Sequence, residues 1–431
     1  MITKEDLIKH FQDGCKTEDN LSIGVEHEKF LFYNKSNKRI NFKTVTEVLK
    51  FLKQFGWKSI KEKNNVVGLK KGKKNITIEP GNQVELSGAP LKSIHQNCNE
   101  SYEFLEELEK ACKKFDLKMI SASFDPFSKL ENVPKTPKQR YTIMNEEMPK
   151  NGHLSLEMMY QTCGTQINLD YVSEVDFINK FKLSSFLVPL SIAIFSNSPI
   201  KEKKLNGYLS YRSKVWQNTS RGGLPKIFLE NMNFEKYVDL AINTPLLFVS
   251  KNGNYLKTGG KTFKEFMDGK LSVLSNEKPN IQDFENHLST IFTEVRLKKY
   301  IEIRSLDTCE WDCHCSGPAF YAGLLYGNTN EALEIISKWK ISDVINAYID
   351  APNKGFKTII ANKTLLEWGN VFLKISKKGL LTRSIKNKKG KDESMFLENI
   401  ENILNRKKSK AMSSIDKFKK QKNLDFLYEK S

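Results

Sequence analysis

The sequence Glu294-Val-Arg-Leu-Lys-Lys-Tyr-Ile-Glu-Ile-Arg304 alternates between apolar and charged side chains. Alternation with a period of two predicts β-structure with one buried face, either a single strand or a hairpin that turns at Lys298-Lys299. The opposite face carries two carboxylates and two guanidinium groups, those of Glu294, Arg296, Glu302 and Arg304. Carboxylates bind Mg²⁺ and arginines grip phosphate or carboxylate bidentately, so this face is typical of a site for metal ions and anions. The alternative is a solvated sheet face with cross-strand salt bridges.

Three further segments carry acidic or amide side chains on one face of a predicted strand. These are Glu26 and Glu28 in residues 22–33, Glu79 and Glu85 in residues 75–79 and 83–87, and Gln166, Asn168 and Asp170 in residues 162–171. Glutamates two residues apart can place oxygen atoms on two divalent ions roughly 4 Å apart, a geometry that clamps phosphate groups. The segments together predict a concave polar sheet floor, and a sheet face open to solvent is the alternative.

Helical periodicity separates these predicted strands. Apolar residues recur at helical spacing in residues 1–20, 44–56, 93–117 and 174–195, and again from about residue 316 to a lysine-rich tail at 393–420. Strands that are interleaved with helices but spread far apart favour an α+β protein with a large antiparallel sheet. We find no repeat and no linker composition, so we predict a single domain over residues 1–431, with a sheet core at about 20–310 and a helical C-terminal part at about 316–431.

The net charge of +18 raises the possibility of a nucleic-acid partner, but the type of basic residue argues against it. Only eight of the 69 basic residues are arginines, and the lysines are scattered rather than interleaved with aromatic residues. Half of these arginines lie between residues 212 and 304, among the polar strand segments. Where lysine is the default, an arginine indicates a need for the planar guanidinium fork. We therefore predict no nucleic-acid partner.

The cysteine content and the N-terminus favour a cytoplasmic protein with no membrane association. Seven cysteines are an odd number without framework spacing, the first residues resemble neither a signal nor a transit peptide, and no apolar run approaches about 20 residues. Cys309, Cys313, His314 and Cys315 suggest zinc, but a second well-spaced ligand pair is missing, so we do not predict a zinc site.

Many of these segments, in the same order, resemble the plant and proteobacterial type of glutamate–cysteine ligase, and the resemblance is nearly collinear from about residue 20 to 420. The segments that carry it are Gly24–Glu28, Thr77–Gly88, Arg140-Tyr141 with Met144, Met158–Asp170, Asn197–Pro199, Arg212-Ser213 with Trp216, Arg221–Pro225, Tyr237–Asp239, His287–Arg304 and Pro318–Phe320.

The resemblance implies a fold and a reaction. The fold is that of glutamine synthetase, with an antiparallel sheet forming the floor of an active-site funnel and helices outside. The reaction joins the γ-carboxylate of L-glutamate to the amine of L-cysteine through a γ-glutamyl phosphate, with ATP as substrate and Mg²⁺ as cofactor. The expected partners are these small molecules, in a monomer or a homodimer.

The resemblance also implies residue roles. Mg²⁺ ligands are expected at Glu26, Glu28, Glu79, Glu85 and Glu302. Substrate contacts are expected from Arg140, Arg212, Trp216, Gln166 and Asn168. Arg221 and Arg304 are expected to stabilise the transferring phosphoryl group. Which arginine binds glutamate and which binds phosphate stays open. From spacing alone, the loop that contains Arg221 is equally an ordinary turn.

Two departures from the family pattern concern the acceptor amine. The Gly-Ala-Asp-Gly-Gly-Pro-Trp run of the family reads Ser305-Leu-Asp-Thr-Cys-Glu-Trp311 here, and the loop before Arg221 is about two residues shorter, with Ser220 in place of an Asp. A γ-glutamyl ligase with another amine acceptor is therefore the nearest alternative. A guanidino-phosphotransferase would share this type of sheet but release no phosphate.

Overall fold

A computed structural model describes residues 2–275 and 277–428, so Met1 of the predicted N-terminal helix and the last three residues of the predicted C-terminal part lie outside it. The centre of the fold is a nine-stranded sheet in which the strands of the polar segments are neighbours. The strands are β1 (Ile23–Tyr33), β2 (Lys58–Glu62), β3 (Asn65–Lys71), β4 (Lys74–Ile78), β5 (Val84–Ser87), β6 (Leu117–Ile120), β7 (Gly164–Leu169), β8 (Ile200–Lys201), β9 (Lys204–Leu205), β10 (Gly222–Gly223), β11 (Phe248–Lys251), β12 (Asn254–Lys257), β13 (Phe292–Thr293), β14 (Val295–Leu297), β15 (Ile301–Asp307), β16 (Ile359–Ile360) and β17 (Lys363–Thr364).

The order in the sheet is β14-β15-β7-β1-β5-β4-β3-β2, with β6 paired to the far end of β1, and all of these pairs are antiparallel. The helices around it are α1 (Lys4–Gln12), α2 (Phe42–Leu52), α3 (Ile94–Phe115), α4 (Gln139–Glu147), α5 (Ser155–Gln161), α6 (Glu174–Phe186), α7 (Val188–Phe195), α8 (Tyr211–Gln217), α9 (Phe234–Asn243), α10 (Phe263–Met267), α11 (Ile281–Leu288), α12 (Ser316–Ala322), α13 (Thr329–Ile336), α14 (Ile341–Lys354), α15 (Leu365–Arg383), α16 (Glu398–Asn405) and α17 (Lys410–Gln421).

The strand registers place the polar positions opposite one another. Glu28 pairs with Glu85 across β1 and β5, and Glu26 pairs with Gln166 across β1 and β7. Glu302 pairs with Asn168 across β15 and β7. Because residues opposite each other in adjacent strands share a face, the polar segments form one continuous floor.

Apolar side chains fill the other side of the sheet. One large cluster joins the apolar positions of β1, β7, β14 and β15 to α6, α7 and the C-terminal helices, and Phe177, Leu190 and Phe372 are fully buried in it. A second cluster packs α2 and α3 against β3, β4 and β5. The α+β architecture with a large antiparallel sheet, which the alternation predicts, is confirmed.

Several predicted element boundaries differ from the structure. The first helix ends at Gln12, and the helix predicted over residues 174–195 breaks at Leu187, where Pro189 in the next turn lacks the N–H that a continuous helix needs. The sequence does not predict the edge hairpin β2–β3, since its lysine-rich strands show little alternation. Residues 294–304 form a hairpin, β14–β15, which resolves the alternative in the sequence.

None of the helices in residues 2–275 and 277–428 is by itself long and apolar enough to cross a membrane. The bent pair α6 and α7 satisfies the requirements of length and composition only when taken together, with a 48° bend between the two helices.

A buried histidine should make stability depend on pH. His287 lies at 3% exposure with its Nε2 2.8 Å from the Ala241 carbonyl, and burial, assisted by Arg221, lowers its pKa from 6.5 to about 3. The unfolded chain therefore takes up this proton first as the pH falls. The free energy of unfolding of wild type relative to His287→Gln is expected to fall by about 1.4 kcal/mol per pH unit between about pH 6.5 and 3. Urea unfolding of both proteins at several pH values measures this difference in unfolding free energy. A difference that stays constant with pH would contradict the prediction.

Candidate active site

A cavity of about 170 Å³ lies over the polar face of the sheet. Its acidic wall comes from β1, β5 and the turn after β4, and its basic wall from β14, β15 and α4. The charged residues that line it are Glu26, Glu28, Glu79, Glu85, Arg140, Arg296 and Arg304. Tyr141, Trp216, Phe292 and the three methionines Met144, Met158 and Met159 close its sides. The sheet floor that the sequence predicts is thus a binding cavity and not an open sheet face.

The four glutamates of the acidic wall interact with one another. Burial and then the charge of Glu79 raise the pKa of Glu28 to about 7. Burial, followed by the charges of Glu79, Glu26 and Glu28, raises the pKa of Glu85 well above its usual value. Glu28 and Glu85 each also accept a hydrogen bond from a neutral donor: the Gly164 N–H donates to Glu28 at 2.5 Å, and the Thr77 hydroxyl donates to Glu85 at 2.6 Å. Like charges this close strain the ionised state, and a cation between them would relieve the repulsion.

The donor set of this wall fits Mg²⁺ in its chemistry. Carboxylate oxygens are the hard ligands that Mg²⁺ prefers, and because burial and neighbouring carboxylates raise the pKa of Glu28 and Glu85, a cation nearby would favour their ionised form. In residues 2–275 and 277–428, however, no group of three or more His, Cys, Asp or Glu side chains is already arranged around one metal position. The four glutamates would have to adjust their rotamers to share an ion.

Glu302 differs from the other predicted metal ligands. Arg296 donates to both of its oxygens, at 2.5 and 2.8 Å, and Arg304 donates to Oε1 at 2.9 Å. Burial alone would raise the pKa of Glu302, but Arg296, Lys298 and Arg304 together hold it far below its usual range. Glu302 therefore orients two of the three arginines of the basic wall, Arg296 and Arg304, and it could coordinate a metal ion only by losing a hydrogen bond to one of them.

Arg304 is the centre of the basic wall. A register shift in β15 between Ile303 and Leu306 places Arg304 at a bulge, and bulges redirect side chains next to active sites. Its guanidinium donates to Gln166 and lies 5.1 Å from the Trp216 ring centre. The structure thus brings together Arg304, Gln166 and Trp216, as the sequence predicts.

Arg212 lies behind the cavity and not in it. It is fully buried, donates to the Arg304 carbonyl at 2.7 Å and stacks on Trp216 at 4.8 Å. Gly164 leaves room for it, because a Cβ there would lie 2.6 Å from a guanidinium nitrogen. The structure therefore gives Arg212 a positioning role beneath Arg304 and Trp216, and the predicted direct substrate contact would require a rearrangement.

The remaining predicted residues divide into one that lines the cavity and two that do not. Arg140 lines it, between the rings of Tyr141 and Phe248. Asn168 does not line it but donates to Glu26 at 2.9 Å. Arg221 lies at a separate cavity, has a left-handed backbone (φ 65°) and donates to the Pro245 carbonyl at 2.6 Å. The predicted turn at Arg221 is present, and its guanidinium points away from the carboxylates.

Sequence reasoning left some cavity residues without a role. Arg296 lines the cavity, and the alternation of residues 294–304 already places it on the polar face, but the resemblance assigns it no role. Tyr141 was part of the resemblance, and its hydroxyl donates to Ile78 O at 3.1 Å and to Glu79 at 3.4 Å. The three methionines also came from resembling segments and form the soft, polarisable side of the cavity.

The sequence model of a protein family described as glutamate–cysteine ligase family 2 (GCS2) matches residues 22–423. The chain belongs to this family. The chloroplastic glutamate–cysteine ligase of Nicotiana tabacum is 39% identical over 391 residues, which cover 89% of this chain and 75% of that protein. Glutamate–cysteine ligase B, chloroplastic, of Oryza sativa subsp. japonica is 42% identical over 393 residues, with 89% and 79% coverage.

A solved structure supports the same fold. The glutamate–cysteine ligase of Francisella tularensis, in complex with AMP, aligns with a TM-score of 0.53 over 93% of this chain and 85% of that chain. At 11% identity this likeness shows the fold alone. The predicted family and fold class are therefore confirmed.

The loop after β15, where this member of the GCS2 family departs from the family pattern, is hydrogen-bonded to β1. Thr308 donates to the Glu28 carbonyl at 3.2 Å, and Lys29 donates to the Cys309 carbonyl at 2.7 Å. A hydrogen bond of 2.9 Å also joins His314 Nε2 to that carbonyl. The glycine-rich run of the family is thus replaced by a loop that hydrogen bonds from β1 and His314 fix in position.

The cysteine pairs were not predicted. Cys98 is bonded to Cys315 and Cys309 to Cys313, while Cys15 and Cys163 are free thiols. The first pair joins residues 217 positions apart, since the tertiary fold places Cys315, directly before α12, next to Cys98 of α3. With Cys309, Cys313 and Cys315 in disulfides, their thiolates are not available for zinc, and the zinc alternative is not supported.

Proposed function

We propose that this protein joins the γ-carboxylate of L-glutamate to the amine of L-cysteine with conversion of ATP to ADP and phosphate, the first step of glutathione biosynthesis. The observation that carries the proposal is one cavity with a wall of four glutamates facing a wall of three arginines, in a chain of the glutamate–cysteine ligase family. Such a cavity can hold cations and anionic substrates side by side, as phosphoryl transfer to a carboxylate requires.

The acidic wall has the role of holding Mg²⁺. Glu26, Glu28, Glu79 and Glu85 would bind the ion, which neutralises phosphate charge during transfer. Their mutual repulsion is useful here because binding an ion removes it. Thr77, Gly164 and Asn168 hold three of these carboxylates in place through the hydrogen bonds described above.

The basic wall has the role of holding the anionic groups of the substrates. Arg304 and Arg140 line the cavity, and each has a buried Nε without a partner among the described residues. A donor buried in this way costs free energy unless an acceptor reaches it, so a bound carboxylate or phosphoryl group is the expected partner. The phosphoryl group passes from ATP to the glutamate γ-carboxylate, and the cysteine amine then displaces phosphate from the acyl phosphate.

The methionine side of the cavity suits the thiol of the acceptor. Met144, Met158 and Met159 offer apolar, polarisable contacts and no strong hydrogen-bond acceptor. An acceptor other than cysteine is supported by one observation, the replacement of the family's glycine-rich run by the anchored loop after β15. The two possibilities differ in product and not in the phosphoryl-transfer step.

The test is phosphate release by the purified protein with ATP, Mg²⁺ and L-glutamate, with and without L-cysteine, together with mass spectrometry of the products. We expect γ-glutamylcysteine to form only when cysteine is present. Glutamate-dependent phosphate release without this product would indicate another amine acceptor. Absence of any glutamate-dependent turnover would refute the proposed ligase.

The cytoplasmic location and the monomeric or homodimeric state remain predictions from the sequence. The plant relatives are named chloroplastic, which describes those proteins. The proposed reaction needs neither a nucleic-acid nor a membrane partner.

A further inference from the structure

A second cavity, of about 770 Å³, lies between the turn Glu18–Asn20, the first residues of α13 and the end of α15. We call it the α13 cavity. Among the described residues, none lines both the α13 cavity and the candidate active site. The proposed ligase reaction gives this second cavity no task.

The charges around the α13 cavity are balanced. Three cationic and three acidic side chains line it, and these are Lys92, Lys180, Arg383, Glu18, Asp19 and Asp176. A nucleotide or another polyanion would meet three carboxylates here, and a polycation would meet three basic groups. The lining therefore matches a ligand that carries one charge of each sign.

Two of the cations are built into the wall around one aromatic ring. Lys180, at 3% exposure, lies 4.7 Å from the Tyr326 ring centre, and its ammonium donates to Asp176 at 2.7 Å. The Arg383 guanidinium lies 5.4 Å from the centre of the same ring, and its Nε donates a hydrogen bond of 3.0 Å to the buried carboxylate of Glu393. Glu393 thus fixes Arg383 through Nε, and the two terminal nitrogens of the fork are the ones that suit a carboxylate.

The wall next to these cations is irregular backbone. Residues Gly323–Gly327 form a π-helical turn directly before α13, and π-helical turns are frequent at functional sites. Within the described residues no side chain caps the N-terminus of α13, where the N-cap residue Asn328 and the first helical residues Thr329 and Asn330 line the cavity. Uncapped N–H groups beside an arginine favour a bound carboxylate over water alone.

Tyr326 connects this wall to the catalytic strands. Its hydroxyl donates to the Ser22 carbonyl at 2.7 Å and accepts from the Asp170 N–H at 2.5 Å. Ser22 directly precedes β1, which carries Glu26 and Glu28, and Asp170 directly follows β7, which carries Gln166 and Asn168. A ligand that moves the Tyr326 ring would shift the end of β1, which carries two glutamates of the acidic wall, and the end of β7, which pairs with β1.

We propose that the α13 cavity binds a small zwitterion, an amino acid or short peptide with one free ammonium and one free carboxylate, and that this ligand changes the affinity of the active site for L-glutamate. Arg383 and the first turn of α13 hold the carboxylate, and the acidic side chains of the Glu18–Asn20 turn and Asp176 hold the ammonium. This site goes beyond the proposed function and does not depend on the identity of the acceptor amine.

Glycylglycine is the probe for binding, observed by saturation-transfer NMR on the full-length protein. The variant Asn330→Trp places a large side chain at the exposed rim of the cavity, and Asn370→Trp makes the same change on the exposed face of α15, away from the cavity. We expect a Kd on the order of 1 mM for wild type and for Asn370→Trp, and at least about tenfold weaker binding to Asn330→Trp.

N-acetylglycine and glycinamide, which each lack one charge, separate the zwitterion from simpler ligands. Both are expected to bind more weakly than glycylglycine; equal binding of N-acetylglycine would show an anion site and overturn the proposal. Equal binding of glycylglycine to Asn330→Trp, or none to wild type, would also overturn it. With bound glycylglycine, the KM for L-glutamate should change about fivefold or more in wild type and not in Asn330→Trp, and an unchanged KM would refute the coupling.

Discussion

The Glu28→Gln variant is expected to be nearly inactive and yet harder to unfold than the wild-type protein at pH 8. Glu28 is one of four carboxylates that repel each other in the acidic wall, and burial together with Glu79 raises its pKa from 4.5 to about 7. Glutamine keeps the acceptor for the Gly164 N–H and removes the charge. We expect kcat to fall by at least about 10²-fold, because a neutral amide binds Mg²⁺ poorly.

The gain in stability should depend on pH in a defined direction. Because the folded state holds the Glu28 proton more tightly than the unfolded state, the ionisable group stabilises the fold below about pH 4.5 and loses that contribution as the pH rises through about 7. At pH 8 the charge costs up to about 3 kcal/mol of unfolding free energy, and the variant avoids this cost. Urea unfolding at pH 8 and at pH 4.5 measures the difference, which should nearly vanish at the lower pH.

Two further measurements distinguish the metal role from a simple loss of charge. Mg²⁺ should raise the melting temperature of wild type more than that of Glu28→Gln, since the ion removes the repulsion only where it exists. Glu106→Gln, an exposed glutamate on α3, is the matched control and should change neither activity nor the effect of Mg²⁺. A Glu28→Gln variant that kept near-normal kcat would remove this residue from the set of metal ligands.

The polar floor could be predicted from the sequence because it depends only on local alternation. A period of two fixes which side chains share a face, and the paired registers then place Glu28 against Glu85 whatever the surrounding helices do. The fold class followed from the same pattern and from the spacing of the helices. The resemblance added the order of the segments, which alternation alone does not give.

What the sequence could not show depends on the hairpin register and on packing between distant segments. The turn at Lys298-Lys299 sets Arg296 opposite Glu302, and this pairing turns a predicted metal ligand into an anchor for two arginines. Arg221 points away because its left-handed backbone and the Pro245 carbonyl fix it elsewhere. The pair Cys98–Cys315 likewise follows from the tertiary fold and not from local sequence, because its two residues are 217 positions apart.

The Arg304→Lys variant should lose about 10²–10³-fold in kcat/KM although it keeps the positive charge. Arg304 makes three interactions at once: it donates to Gln166, donates to Glu302 and stacks on Trp216. A lysine ammonium is a single point on a flexible stem and cannot keep these contacts while it also reaches a substrate anion. The charge balance of Glu302 is preserved by Arg296, so we expect the fold to survive.

Kinetics at varied L-glutamate and varied ATP show which substrate Arg304 serves. If it grips the phosphoryl group only during transfer, kcat falls while both KM values stay close to wild type; if it grips the carboxylate of bound glutamate, the KM for L-glutamate rises. The exposed Arg406→Lys is the control for the same chemical change and should behave as wild type. Near-normal kcat/KM in Arg304→Lys would mean that a charge at this position suffices, and the bulge in β15 would then have no part in shaping the basic wall.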